Sequence, residues 1–233
     1  MSKRIAIPCI SVKAMSVHDR RPVYRPVFDM AWHRAMELAW QSFLAGTTPV
    51  GAVVADPAGH VVAEGRGRRY EHDDGTSGHL AYCHVAHAEI NALAQLPPTR
   101  HYEDHVLLTT LEPCCMCLGA AVQSTITRLH FAGRDPYAGS SRLRIDTPQA
   151  RRRPLHITGP LADPRGQFAE LLHVRWLLDY GAAEPVLEAQ QRGLSTVYER
   201  AAHPAVRILF DRLRRDAAAV DKAVAAAENL MAA

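Results

Sequence analysis

The chain has 233 residues, 48% hydrophobic and 22% charged, with 27 Lys and Arg against 24 Asp and Glu for a formal net charge of +3. At roughly 100–200 residues per domain this is one domain with extensions or two small ones, and the composition excludes a disordered chain, a collagen-like repeat and a coiled coil. No apolar run approaches the ~20 residues of a membrane-spanning helix, and so small an excess of positive charge does not by itself indicate a nucleic-acid partner.

Residues 1–27 carry Pro8, Pro22 and Pro26 with little periodicity, and are expected to form a loose N-terminal arm. The apolar run after Lys3 and Arg4 is broken by Pro8 and Lys13, so no secretory leader is expected. A reducing, cytoplasmic compartment follows, in which five cysteines point to a metal or to catalysis rather than to disulfides. From Phe28 onward, Trp32, Ala35, Met36, Ala39, Trp40 and Phe43 recur at helical spacing, with Asp29 as a candidate N-cap and Gly46 as a stop. Val-rich runs at 50–55 and 60–64 flank Asp56-Pro57-Ala58-Gly59 and predict a β-hairpin. Residues 66–84 form a polar loop of a length that is often functional, and its His72, His79 and His84 are candidates for a pocket rim.

A helix is expected over 86–96, a buried strand over 105–111, a helix over 114–124 directly after Pro113, and a strand over 127–132. Alternation of this kind predicts an α/β sandwich around one mixed sheet. Residues 134–160 read as a Pro- and Arg-rich linker. Its Arg142, Arg144 and Arg151-Arg152-Arg153 are expected to be a solvated basic loop. A helix over 164–180 has Phe168, Leu171, Leu172, Trp176 and Leu177 on its apolar side. The Ala- and Arg-rich remainder predicts two or three helices, near 183–192, 203–215 and 216–232, packed on the core or on a second subunit. The expected organisation is an arm (1–27), a central domain (28–180) and a helical C-terminal extension (181–233).

Two short stretches carry chemistry. His87-Ala88-Glu89 opens one helix, and Pro113-Cys114-Cys115-Met116-Cys117 turns a strand into another. Zinc is held tetrahedrally by Cys and His, and a catalytic site leaves one position open. His87, Cys114 and Cys117 supply three ligands. The cysteines stand at i and i+3, where both sulfurs project to one side of a helix whose N-terminal dipole favours thiolates. Glu89, two residues from His87, is assigned proton transfer rather than ligation. The competing possibility is a structural site closed by Cys83, His84 or Cys115 as a fourth ligand. Cys115 and Cys9 are expected to be packing thiols.

His-X-Glu followed by Pro-Cys-X-X-Cys resembles the zinc-dependent cytidine deaminase-like superfamily. Together with Thr48-Pro49-Val50-Gly51-Ala52, the stretch His87 to Leu93 and Thr110 to Cys117, it is similar to the branch that holds tRNA adenosine deaminases and guanine deaminases. The resemblance implies a three-layer α/β/α sandwich around a mixed five-stranded sheet, a zinc cofactor, and hydrolytic deamination of a nucleobase or nucleoside, purine-type rather than pyrimidine-type. In it Glu89 is catalytic, while Val50, Gly51, Ala52, Ala88, Leu111 and Asp135 frame the substrate. It also implies a homodimer. One departure stands out: where this branch carries Gly-X-Asn after the second strand, the chain reads Gly65-Arg66-Gly67. A small-molecule substrate is therefore favoured over nucleic acid. A tRNA adenosine deaminase and a non-catalytic zinc-fold interaction module are the alternatives. Neither membrane nor further cofactor is expected.

Overall fold

The computed structural model describes residues 26–72 and 78–232. Cys9 and nearly all of the expected N-terminal arm lie outside the described residues. A 3-10 turn over Pro26–Phe28 leads into α1 (Asp29–Leu44), followed by the hairpin β1 (Gly51–Ala55) and β2 (Val61–Arg66). Then come α2 (Ala88–Leu93), β3 (Val106–Leu111), α3 (Cys115–Gln123), β4 (Arg128–Gly133), α4 (Pro148–Arg152), β5 (His156–Thr158) and α5 (Pro164–Tyr180). The chain continues through α6 (Glu184–Gly193), α7 (Ser195–Ala202), α8 (Pro204–Arg215) and α9 (Val220–Ala232).

The strands form one mixed sheet in the order β2-β1-β3-β4-β5. β1 runs antiparallel to β2 and β3, while β3, β4 and β5 are parallel. Every residue of β1 and β3 is buried, as expected of central strands covered on both faces. Side-chain alternation divides the core. Val53, Ala55, Val106 and Leu108 face α1 and α5, whereas Ala52, Val54, Leu107 and Leu129 face α2 and α3. This is the expected three-layer α/β/α sandwich around a mixed five-stranded sheet, extended by C-terminal helices.

Those last helices pack on the first face. Trp40 and Phe43 stack at 5.2 Å, and Phe210 of α8 meets both edge-on at 6.3 and 5.6 Å. Trp40 Nε1 donates to the Ala218 carbonyl at 2.6 Å. Of the two placements expected for this region, within this chain the helices occupy the core.

The structure differs from the sequence expectations at four places. Asp29 does not cap α1, because the 3-10 turn runs straight into the helix and leaves Phe28 at the cap; Asp29 instead accepts from Arg165 Nη1 at 3.2 Å. The segment expected to be a linker contains α4 and the edge strand β5. Three residues are too few for a period-2 signal, and β5 exists through its parallel register with β4. The C-terminal region holds four helices, with α7 between those expected. Cys115, expected to pack, is exposed. Within the basic loop, Arg151 pairs with Asp146 at 2.6 Å and Arg153 with Glu103. Among the described residues no helix is long and apolar enough to cross a membrane.

Gly65 sets the distance between β2 and α2. A Cβ there would stand 2.4 Å from the Ala88 carbonyl oxygen and 2.5 Å from the Ala92 nitrogen, both backbone. Gly65→Ala therefore forces helix and strand apart. We expect it to cost about 2 kcal/mol, or roughly 4–8 °C in melting temperature for a chain of this size, measured by calorimetry.

Candidate active site

β3 points its C-terminal end at the site. The chain leaves it through Glu112 and Pro113, and Cys114 takes the N-cap position of α3 with Cys117 one turn in. On the neighbouring element His87 takes the N-cap position of α2, with Glu89 in its first turn. Two helix N-termini thus meet beside the end of a central strand, which brings together residues 27 and 30 positions apart in sequence.

His87 Nδ1 lies 3.7 Å from Cys114 Sγ and 3.6 Å from Cys117 Sγ, and the two sulfurs are 3.5 Å apart. An ion bound tetrahedrally at ordinary Zn–S and Zn–N lengths of about 2.3 and 2.0–2.1 Å holds such donors about 3.6–3.8 Å apart. The triangle therefore has the size of one face of a zinc tetrahedron, and its donors are a soft and borderline set suited to zinc. Among the described residues this is the group of His, Cys, Asp or Glu that could hold a metal ion. Cys83, His84, Cys115 and Glu89 are not part of it. Among the described residues no further side chain of these types closes the fourth corner, and a fourth position open to water is what distinguishes catalytic from structural zinc sites.

The electrostatics follow from this crowding. The Cys117 thiol, bonded to Cys114, holds the Cys114 thiol down at about 4. The neighbouring Cys114 sulfur in turn pushes Cys117 far up. Two sulfurs this close resist carrying two negative charges, and binding of a dication displaces the remaining thiol proton. Contact with Cys114 raises His87. Burial raises the Glu89 carboxyl above the usual carboxylate range. Glu89 is held at both oxygens: Oε1 accepts from Thr109 Oγ1 at 3.0 Å, and Oε2 accepts from Cys117 Sγ at 3.4 Å.

Two further side chains fasten the surrounding loops. Glu112 Oε1 accepts from Ser141 Oγ and backbone N at 2.5 and 3.1 Å, and Oε2 accepts from Asp135 N at 3.3 Å, tying the 135–141 segment to the end of β3. Asn91 accepts from Leu80 N at 2.7 Å and donates to the Leu80 and Arg66 carbonyls. This clamps the far end of the long loop to β2.

A cavity of about 390 Å³ opens over His87, Glu89 and Cys114, within the size of a site for a small organic ligand. Val50, Ala88, Leu111 and Asp135 line it, as do His87 and Glu89. Gly51 and Ala52 lie behind that wall. A Cβ on Gly51 would meet the α1 backbone, 2.0 Å from the Ala35 oxygen, and Ala52 sits in the second core cluster. None of His72, His79 and His84 lines the cavity, although exposed His84 hydrogen-bonds Arg69, which does. Position 67 also lines it, but a side chain there has no room: a Cβ would stand 2.3 Å from the Thr48 oxygen.

Sequence reasoning missed the rest of the enclosure. His173, Trp176 and Tyr180 of α5 and Val186 and Gln190 of α6 complete it. Trp176 was legible only as an apolar helix position. A polar His173 and Gln190 on otherwise amphipathic helices gave no motif to find. Thr109, which holds Glu89, stands in a strand readable only as buried.

Residues 29–133 match the family model described as the cytidine and deoxycytidylate deaminase zinc-binding region. The chain is 36% identical over 115 residues to a tRNA(Ile)-lysidine synthase of Deinococcus deserti, covering 49% of this chain and 20% of that protein. It is 38% identical over 120 residues to a tRNA-specific adenosine deaminase of Haemophilus influenzae, covering 50% of this chain and 64% of the relative. A solved guanine deaminase from Bacillus subtilis shares 30% identity over 45% of this chain and 62% of its own, with a TM-score of 0.36. The chain thus spans a fifth of the first relative's length and just under two thirds of the second's. The matched segment ends before α5 begins.

Proposed function

We propose that the chain, whose residues 29–133 match the model of the cytidine and deoxycytidylate deaminase zinc-binding region, is a hydrolytic deaminase of a nucleobase or nucleoside, purine-type by preference, exchanging a ring amino group for an oxo group and releasing ammonia. One observation carries this reading: a zinc-sized triangle of His87, Cys114 and Cys117 with its fourth corner left open and the buried Glu89 carboxyl alongside. When bound by that triangle, zinc would lower the pKa of a water to about 7.

The remaining work falls to the chain itself. Glu89 accepts the proton of the attacking water at Oε2 and delivers it to the ring nitrogen beside the amino-bearing carbon. It then relays the second proton to the departing amine. Burial favours the protonated carboxyl, so Glu89 is a competent donor once loaded. Thr109 fixes the carboxyl from the opposite side. Val50, Leu111 and Trp176 give the flat ring apolar walls, and the enclosure limits competing water.

Ammonia release by the zinc-loaded chain, screened over adenine, guanine, cytosine, their nucleosides and tRNA, tests the reading; silence across the whole panel sinks it. A tRNA adenosine substrate is the second reading, favoured by the 38% identity to the Haemophilus relative. It requires tRNA binding that weakens steeply with salt. The same proposal places the chain in a reducing cytoplasm as a homodimer, and sedimentation equilibrium tests the dimer.

Thr109→Val removes the donor to Glu89 Oε1 while preserving the shape of a buried site. We expect kcat to fall at least about tenfold with zinc content unchanged, in keeping with roughly 1.5–3 kcal/mol for a hydrogen bond to a charged group. Steady-state ammonia assays beside metal analysis check it.

A further inference from the structure

Gln190 is fully buried, and its Nε2 donates to Asp135 Oδ1 at 2.9 Å. That bond fixes the orientation of the amide, since a carboxylate oxygen accepts. The other end, Oε1, is then a buried acceptor without a hydrogen-bond partner among the described residues. His173 is buried at 6% exposure, and its Nδ1 is likewise without a partner among the described residues. Both side chains line the cavity above His87 and Glu89, and Asp135, which Gln190 bonds, lines it beside them. Leaving such groups unpaired is costly, so native proteins seldom keep a buried acceptor or ring nitrogen without a partner.

The packing around them is close. The Asp135 loop is held by Glu112 and by bonds from Tyr137 N and Ala138 N to Asp135 Oδ1. α6 closes on this loop at Gly193, where a Cβ would stand 2.4 Å from Pro136 Cγ. His173 stacks on Trp176 with centroids 6.3 Å apart. The pair is therefore rigidly presented, and it comes from helices outside the segment that matches the family model.

We propose that Gln190 and His173 form the subsite that reads the base, binding a lactam edge, the ring –NH–C(=O)– of a nucleobase. Gln190 Oε1 accepts the ring N–H, and His173, as the neutral Nδ1–H tautomer, donates to the adjacent carbonyl. This rests on the deaminase reading of the cavity and assigns its selectivity. It also accounts for position 67, where Gly leaves base recognition to other residues. An adenine within a nucleoside or polynucleotide presents ring acceptors and a single amino donor, and that amino group is the one to be released. It cannot answer Gln190.

The test uses the zinc-loaded full chain, with guanine, guanosine, adenosine and 1-methylguanine as probes. Guanine carries the lactam N–H, and 1-methylguanine lacks it. Equilibrium dialysis on the zinc-loaded Glu89→Gln chain, which keeps its metal but turns guanine over too slowly to consume it, is expected to show guanine bound at least tenfold more tightly than 1-methylguanine. Gln190→Leu and His173→Phe, each checked for an unchanged melting temperature within 5 °C, are expected to erase that difference, a loss of about 10- to 100-fold for an unanswered buried polar group. The methyl probe leaves the protein untouched, so the comparison stands even if a variant does not fold.

Equal binding of the two bases, or adenosine turned over as well as guanosine, overturns the proposal. If no base is deaminated but guanine still outcompetes 1-methylguanine through Gln190, the subsite stands and the hydrolytic reading falls. Turnover of adenosine alone overturns the subsite and leaves the hydrolytic reading standing.

Discussion

Zinc-loaded Glu89→Gln is expected to keep its metal and to release ammonia about 10³-fold more slowly than the unmodified chain, within the 10²–10⁴ range of a positioned acid–base group. The reason is geometric. Glu89 is not among the metal-holding atoms, so its replacement leaves His87, Cys114 and Cys117 in place. Gln matches its volume in a fully covered site and still offers an oxygen to Thr109 Oγ1. What it lacks is a transferable proton, which no other titratable side chain of the metal group supplies. Zinc analysis should return an unchanged stoichiometry, and only kcat should collapse. A variant that works at the parental rate would show that the proton travels by another route.

Cys117→Ala should be more damaging still, because it reaches both metal and fold. The residue is fully buried, bonds Glu89, and forms two sides of the donor triangle. Two remaining donors cannot hold zinc in a tetrahedral site, and affinity should fall by well over the 100-fold that loss of a mere supporting residue produces. Dialysed protein is expected to retain less than about a tenth of an equivalent of zinc and to show no measurable deamination. Its melting temperature should no longer rise when zinc is added, whereas the parent chain should gain about 2.7 kcal/mol at a hundredfold excess over its dissociation constant.

The pattern that made the central region legible is one of short-range order. α1 announced itself through apolar residues at helical spacing, and β1 and β3 through Val- and Leu-rich runs bounded by turn residues. The ligand triangle was legible because each half lies within three residues at a helix start, where geometry is local. β5 was not legible, since His156–Thr158 has no pattern of its own and is a strand only by virtue of β4. Asp29 misled because capping depends on the backbone before it, and a 3-10 turn leaves no trace in apolar spacing. The enclosure escaped for a different reason. His173 and Gln190 stand 86 and 103 positions beyond His87, brought back over it by the packing of α5 and α6 rather than by any local signal. Likewise Thr109 became recognisable as a partner of Glu89 only once α2 was seen to lie against β3.

The bond from Trp40 to Ala218 and the ring cluster with Phe210 weld the last helices to the first one. Transplanting residues 29–133 to another scaffold would accordingly carry the His87, Cys114 and Cys117 triangle but abandon the α5 and α6 walls of the cavity, and would leave a wide aromatic face of α1 bare to water. On the proposed reading, motif and tail would be inherited together, and drift in the tail would retune the diet without touching the metal-binding triangle.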